Sequence, residues 1–387
     1  MSNEAARQNP HHEHIALVLQ GGGALGAYQA GVYEEIAKIP KEPHWVAGIS
    51  IGAINAAIIA GNPPDRRVAR LREFWDLVSS RFSDLAPQVD FQRSPFHQFS
   101  AGVSMLLGVN GFYTPRLIPP SWQPEGTDGA LSVYDASPLR HTLERLVDFD
   151  LINQKKTRLS VGAVNVRTGN SVFFDNLHQK IGPEHIMASG ALPPAFAPVA
   201  IDGELYWDGG IVSNTPLQYV LDNRPGGRLM IAQVDLFNAR GQAPTTLSAA
   251  LIRQKDIVYS SRTRFNTDQA AKIENHRRDI VKLIARLPPE FLDDPEVMRL
   301  KASCQEGHID IVHLIYRQNE FELDSKDYEF SRSTVELHWQ AGREDMANTT
   351  AHPDWLTKSE GEHGITIYDL SHDVHQSPTE EPPHEHH

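Results

Sequence analysis

Residues 15–40, IALVLQGGGALGAYQAGVYEEIAKIP, and residues 44–61, HWVAGISIGAINAAIIAG, decide how this chain is read. Ile15 to Gln20 is a short apolar run that stops at three glycines, the pattern of a buried strand entering a turn. Val32, Ile36 and Ile39 then recur at helical spacing, so a helix is expected from Tyr28 to Ile39, closed by Pro40 and Pro43. Trp45 to Ile49 predicts a second strand and Ala53 to Ala60 a second helix, with Gly61 where a left-handed cap belongs. Two strand–turn–helix units in succession predict an α/β fold, a parallel sheet with crossover helices.

Both turns carry chemistry. Gly21-Gly22-Gly23-Ala24-Leu25-Gly26 satisfies GxGxxG, but the second strand ends at Ser50 and not at the carboxylate that a ribose requires, which argues against a dinucleotide-dependent dehydrogenase. What remains is a set of backbone N–H groups at the positive end of a helix dipole, suited to any anion, a transient oxyanion included. Gly48-Ile49-Ser50-Ile51-Gly52 is GxSxG. A serine on such a sharp strand-to-helix turn exposes its hydroxyl and places the N–H of the next residue, Ile51, beside it. Ala53, Ala56, Ala57 and Ala60 let the following helix pack closely on the sheet.

A serine hydroxyl needs a base. Of the 19 histidines, eight lie in the polar ends of the chain, and His141, His178, His185 and His313 occupy no recognisable loop. Asp208, in Trp207-Asp208-Gly209-Gly210 after a strand expected at Glu204–Trp207, is the better candidate, although Asp-Gly-Gly is also simply a good turn.

GGGALG, GISIG and DGG, in this order and with these spacings, resemble the patatin-like phospholipases. The resemblance covers about residues 12–236. It implies a three-layer α/β/α fold with a mostly parallel central sheet. It also implies hydrolysis of lipid acyl esters through a Ser-Asp dyad and an acyl-enzyme, with no cofactor and no metal. Ser50 is then the nucleophile and Asp208 its base. The amides around Gly21, Gly22 and Gly23, with Ile51, form the oxyanion hole, and Gly26, Gly48, Gly52, Gly209 and Gly210 complete the motifs. Met187 to Pro194 and Phe196 resemble the family's small-residue and proline segment, a wall of the pocket. One departure is Leu25, where the family often carries Arg or Lys, so a preference for anionic head groups is not implied. A non-catalytic lipid-binding or scaffold protein on the same fold is the alternative.

Composition narrows the setting. The chain has 387 residues with 36 Lys+Arg against 49 Asp+Glu, a net charge of −13, and no basic cluster, which disfavours nucleic acid as a partner. Its 40% apolar and 22% charged residues exclude fibrous and wholly disordered classes. A single cysteine, Cys304, excludes an intramolecular disulfide framework, and no signal-peptide pattern is visible, so a cytoplasmic protein, in peripheral contact with membrane at most, is expected. Trp45 to Pro64 has no charge and nearly the length of a membrane span, but Gly48, Ser50, Gly52 and Asn55 favour strand, turn and helix.

Further helices are expected at Val68–Val78 and Ser137–Val147, and strands at 158–165, 171–174, 229–234 and 309–316. The irregular stretch 80–131 carries Phe96, Phe99, Met105, Leu106, Leu107, Val109, Phe112 and Tyr113, which are expected to line an apolar cleft, touch a membrane, or belong to the core. The expected organisation is a polar tail at 1–11, a catalytic domain at 12–243 and a mainly helical extension at 244–345 ending in a helix over 326–342. A polar, unpacked tail at 346–387 completes the chain.

Overall fold

The structure is a computed structural model that describes residues 14–79, 107–239, 241–304, 308–317, 329–352 and 365–369. In chain order the elements are strand β1 (His14–Leu19), helix α1 (Gly26–Ile36), β2 (Trp45–Ile49), α2 (Ile51–Ala60), α3 (Pro64–Val78), α4 (Ser137–Leu146) and α5 (Phe149–Asn153). Next come β3 (Arg158–Asn165), β4 (Ser171–Asp175), α6 (Pro183–Ser189), β5 (Val199–Ile201), β6 (Glu204–Asp208), α7 (Leu217–Asp222) and β7 (Leu229–Asp235). The last are α8 (Leu247–Ile284), α9 (Pro295–Ser303), β8 (Ile309–Ile315), α10 (Arg332–Ala351) and β9 (Ile365–Tyr368).

One nine-stranded sheet organises them, in the order β9-β8-β7-β1-β2-β3-β6-β5, with β4 on β3. From β9 to β3 every pairing is parallel, and β4, β5 and β6 enter antiparallel. Side chains of β1 alternate between two cores: Ile15, Leu17 and Leu19 face the core under α1, α2 and α3, and Ala16 and Val18 face the core under α7. Two cores on opposite faces of one sheet make the three layers. The patatin-like α/β/α architecture expected from the sequence is present.

Several expectations need correction. Gly61 closes α2 with φ −93° and ψ 20°, outside the left-handed region, its N–H donating to Ala57 O at 2.8 Å. The region after residue 244 is mainly helical, as expected, and it also widens the same sheet, because β8 pairs with β7 and β9 with β8. The final helix runs from Arg332 to Ala351 and not from 326 to 342, and Ile365–Tyr368 is a strand, so the stretch after 346 is not simply an unpacked tail. A four-residue strand has no periodicity to read in a polar background, and it exists only because β8 offers it an edge.

Helix α10 covers α1, the helix that follows the glycine turn. The backbones touch at two glycines: a Cβ on Gly31 would lie 1.9 Å from Trp339 O, and one on Gly342 would lie 2.1 Å from Tyr28 O. Around that crossing the Tyr28 hydroxyl donates to Asp345 Oδ2 at 2.6 Å, and the Arg72 guanidinium stacks 3.6 Å above the Trp339 ring. Among the described residues no helix is long and apolar enough to cross a membrane, and Trp45–Pro64 resolves into β2, a turn, α2 and the start of α3.

Candidate active site

Strand β3 is the template on which the two candidate catalytic residues meet. One of its edges carries β4. The other edge carries β2 up to Ile49, opposite Gly162, and then β6 from Asp208, opposite the next residue, Ala163. Because β6 is antiparallel to β3 and β2 parallel, the two strands run head-on along one edge, and Ser50 and Asp208 stand at their junction.

Ser50 has φ 56° and ψ −124°, in the positive-φ region that a side chain rarely occupies. Close packing enforces it: a Cβ on Gly48 would lie 2.2 Å from Gly52 O, and one on Gly52 would lie 2.4 Å from Leu19 O. Hydrogen bonds complete the constraint. The Ser50 N–H donates to Ser189 Oγ at 2.9 Å, and the Ser50 carbonyl accepts from Ala53 N at 2.9 Å and Ile54 N at 3.2 Å.

Asp208 is buried, its Oδ1 accepts from Gly210 N at 2.7 Å, and it lines the same cavity as Ser50. Burial pushes its pKa up to about 7, against the opposing pull of the Gly210 N–H and the nearby Ser50 hydroxyl. A free aspartate near 4 is a weak base for a serine, and this one is a much better match. No histidine lines the cavity among the described residues.

The glycine turn divides its amides. Asn214 clamps Gly21 from both sides, accepting the Gly21 N–H on its carbonyl at 3.1 Å and donating Nδ2 to Gly21 O at 2.9 Å. The Gly21 amide is therefore occupied. The N–H groups of Gly22, Gly23 and Ile51 engage no other described residue, and all three residues line the cavity beside Ser50. Gly23 holds φ 55°, a conformation that costs glycine little.

The cavity measures about 80 Å³. Aromatic side chains wall it, namely Phe112, Tyr113, Tyr134, Phe196, Phe237, Tyr259 and Phe330, with Ile54 and Leu192, and no cationic side chain is among its lining residues. Phe112 and Tyr113 were expected here. Phe96, Phe99, Met105 and Leu106 lie outside the described residues, Leu107 is exposed, and Val109 is in the core. Gly190, Leu192, Ala195 and Phe196 form the expected wall, tied to the site where Asp208 N donates to Ala191 O at 3.0 Å. Leu25 is fully buried and does not line the cavity.

Tyr259 on α8 and Phe330 just before α10 were not expected, because a lone aromatic in a mixed-polarity segment has no signature. What brings them here is the packing of α8 and α10 on the core, with Phe330 edge-on to Phe112 at 6.0 Å between centroids and Tyr259 against Phe237 at 5.0 Å.

A family model described as patatin-like phospholipase matches residues 17–221, more than half of the chain. The chain belongs to the patatin-like phospholipase family. A second model, a domain of unknown function described as patatin phospholipase, matches residues 257–362, so this patatin-like chain continues in the family's own terms through α8, α9, β8 and α10. It is 27% identical over 223 residues to a cGAMP-activated phospholipase of Escherichia coli, covering 52% of each chain. It is 25% identical over 235 residues to one of Vibrio cholerae, covering 54% of this chain and 58% of the relative. This patatin-like chain thus spans about half the length of the curated relatives it matches. Its backbone also resembles the crystal structure of VipD from Legionella pneumophila, with a TM-score of 0.36 and 12% identity over 88% of this chain and 67% of the other.

Proposed function

We propose that the chain is a serine acyl-ester hydrolase that cleaves lipid acyl esters through Ser50 and Asp208. The observation that carries this reading is the head-on meeting of β2 and β6 on one edge of β3, which leaves buried Asp208 and the strained Ser50 at one junction, both lining the cavity. Ser50 Oγ attacks the ester carbonyl carbon and its proton passes to Asp208. The negative charge that develops on the carbonyl oxygen is met by the N–H groups of Gly22, Gly23 and Ile51. Collapse expels the alcohol, which takes the proton from Asp208, and leaves an acyl-enzyme. Water, giving its proton to Asp208, then attacks the acyl carbon, and collapse breaks the bond to Ser50 Oγ, which takes that proton back from Asp208 as the acid leaves.

The cavity's aromatic walls and lack of a cation suit an uncharged acyl chain better than an anionic head group. The working setting we propose is cytoplasmic, at the surface of a membrane that holds the lipid.

Hydrolysis of short- and long-chain acyl esters by wild type, Ser50→Ala and Asp208→Asn tests the reading, together with labelling by a fluorophosphonate probe. Wild type is expected to turn over and label at Ser50, and each variant to lose about a thousandfold in kcat. Full activity of Ser50→Ala would overturn it. Lipid binding with neither labelling nor turnover would identify a non-catalytic lipid-binding protein instead.

A further inference from the structure

Residues 114–135 form an excursion closed by a short antiparallel stem, in which Thr114 pairs with Asp135 and Pro115 with Tyr134. The base of this stem is part of the cavity wall. Tyr113 and Tyr134 both line the cavity, with ring centroids 4.7 Å apart, and the Val133 and Tyr134 N–H groups bond the carbonyls of Pro194 and Ala195 in the opposite wall.

The tip of the excursion points its apolar side chains into solvent. Leu117 is 100% exposed, Trp122 80% and Ile118 52%. Several of its polar groups, by contrast, are used internally. Arg116 Nε donates to Ser132 Oγ at 3.1 Å, Ser132 Oγ donates to Asp128 O at 2.8 Å, and Thr127 Oγ1 accepts from Ala130 N at 3.3 Å. Pro119 and Pro120 hold a short 3₁₀ turn that ends at Trp122. Along residues 117–122 the tip exposes three large apolar side chains close together in the chain, with the exposed carboxylates of Glu125 and Asp128 on the following segment, and such a group is unusual on a surface that meets only water.

We propose that this tip, through Leu117, Ile118 and Trp122, is the surface by which the protein docks on a zwitterionic phospholipid bilayer. Charge selects that partner. No ionisable residue lies between Arg116 and Glu125, and the whole chain carries −13, so the patch offers nothing to an anionic surface. An indole with flanking aliphatic side chains matches the boundary between headgroups and acyl chains. Resting on the lipid-ester reading of the cavity, the geometry explains why the patch lies here. A tip whose stem is the cavity wall brings the mouth of the cavity to the layer that holds the ester bonds when the tip enters the bilayer.

The test uses the full chain carrying Ser50→Ala, so that vesicles are not consumed, and co-sedimentation with phosphatidylcholine vesicles. Binding is expected at low and high salt alike. Adding Leu117→Ser, Ile118→Ser and Trp122→Ser together is expected to weaken partitioning at least about tenfold, with an unchanged melting curve because these side chains pack little in the fold. Independently, brominated phosphatidylcholine is expected to quench tryptophan fluorescence in the Ser50→Ala protein and to lose most of that effect when Trp122→Phe is added.

Unchanged partitioning of the triple-serine protein, or no binding by its parent, overturns the proposal. So does a triple-serine effect on self-association alone, which would assign the patch to a second copy of the chain. Wild-type turnover of a soluble short-chain ester without vesicle binding removes the docking surface and leaves the hydrolase. Vesicle binding through the tip without any ester turnover does the reverse.

Discussion

Ser189 holds Ser50 in place: its buried Oγ accepts the Ser50 backbone N–H at 2.9 Å and donates onward to the carbonyl of Gly162 at 2.6 Å. Gly162 is the residue of β3 opposite Ile49, so a single hydroxyl ties the strained turn at Ser50 to the strand that aligns the site. Ser189→Ala leaves the Ser50 N–H without its acceptor, at a cost of about 1–3 kcal/mol. Ser189 touches no reacting atom, so kcat is expected to fall about tenfold to a hundredfold with KM little changed. A variant that raised only KM would show that Ser189 shapes the pocket and does not position the nucleophile.

Burial lifts the Asp208 carboxyl to about 7, and as the proposed base for Ser50 it can accept a proton only when it is ionised. kcat/KM of wild type is therefore expected to rise with pH through about 7 and level off above it. A stopped assay on a soluble ester between pH 5 and 9 checks this. A profile already flat from pH 5 would mean that the base has an ordinary carboxylate pKa.

A second buried carboxyl, Asp235 at the end of β7, is also lifted to about 7 by burial, although Gln233 Nε2 donates to it at 2.7 Å. In the unfolded chain it ionises near 3.8. Between these values the folded state binds the extra proton, so this group's contribution to stability is intact below about 4 and is lost as pH rises toward 7. Asp235→Asn removes the ionisation. Relative to wild type, its denaturation midpoint is expected to improve progressively from pH 4 to pH 8, and a constant difference across that range would contradict it.

Gly31→Ala places a methyl group 1.9 Å from the Trp339 carbonyl and must push α10 off α1. A loss of about 2–3 kcal/mol of stability is expected. Because α1 begins directly after the glycine turn, kcat is expected to drop with stability. Chemical denaturation with a parallel esterase assay measures both, and a neutral Gly31→Ala would show that α10 does not bear on the site.

Phe330 brings the region after residue 244 into the cavity wall, edge-on to Phe112. Phe330→Ala enlarges the cavity, so kcat/KM for bulkier acyl groups is expected to rise relative to short ones, by about tenfold, at a stability cost of about 3–5 kcal/mol. An unchanged preference across a chain-length series would place Phe330 outside the acyl path.

Much of this was legible locally. The strands at 15–20 and 45–49, the GxSxG turn and the small-residue helix behind it, and the Asp-Gly-Gly turn each announce themselves within a few residues, because a strand, a tight turn and a close-packed helix each impose their own residue types. Tyr259, Phe330 and the strand at 365–368 announce nothing. Their positions are set by partners far away in the chain, namely Phe237, Phe112 and β8.

The amino-acid order by itself determined that Ser50 sits on an elbow, that Asp208 opens a turn, and that three glycines precede a helix, since φ, ψ and side-chain volume are local properties. Tertiary structure alone decided the rest. Only the register of β2 and β6 along β3 brings residues 50 and 208 together, only Asn214 withdraws the Gly21 amide, and only burial raises Asp208 to about 7. Strand register, hydrogen-bond competition and desolvation each depend on atoms separated by tens to hundreds of residues, which no local pattern encodes.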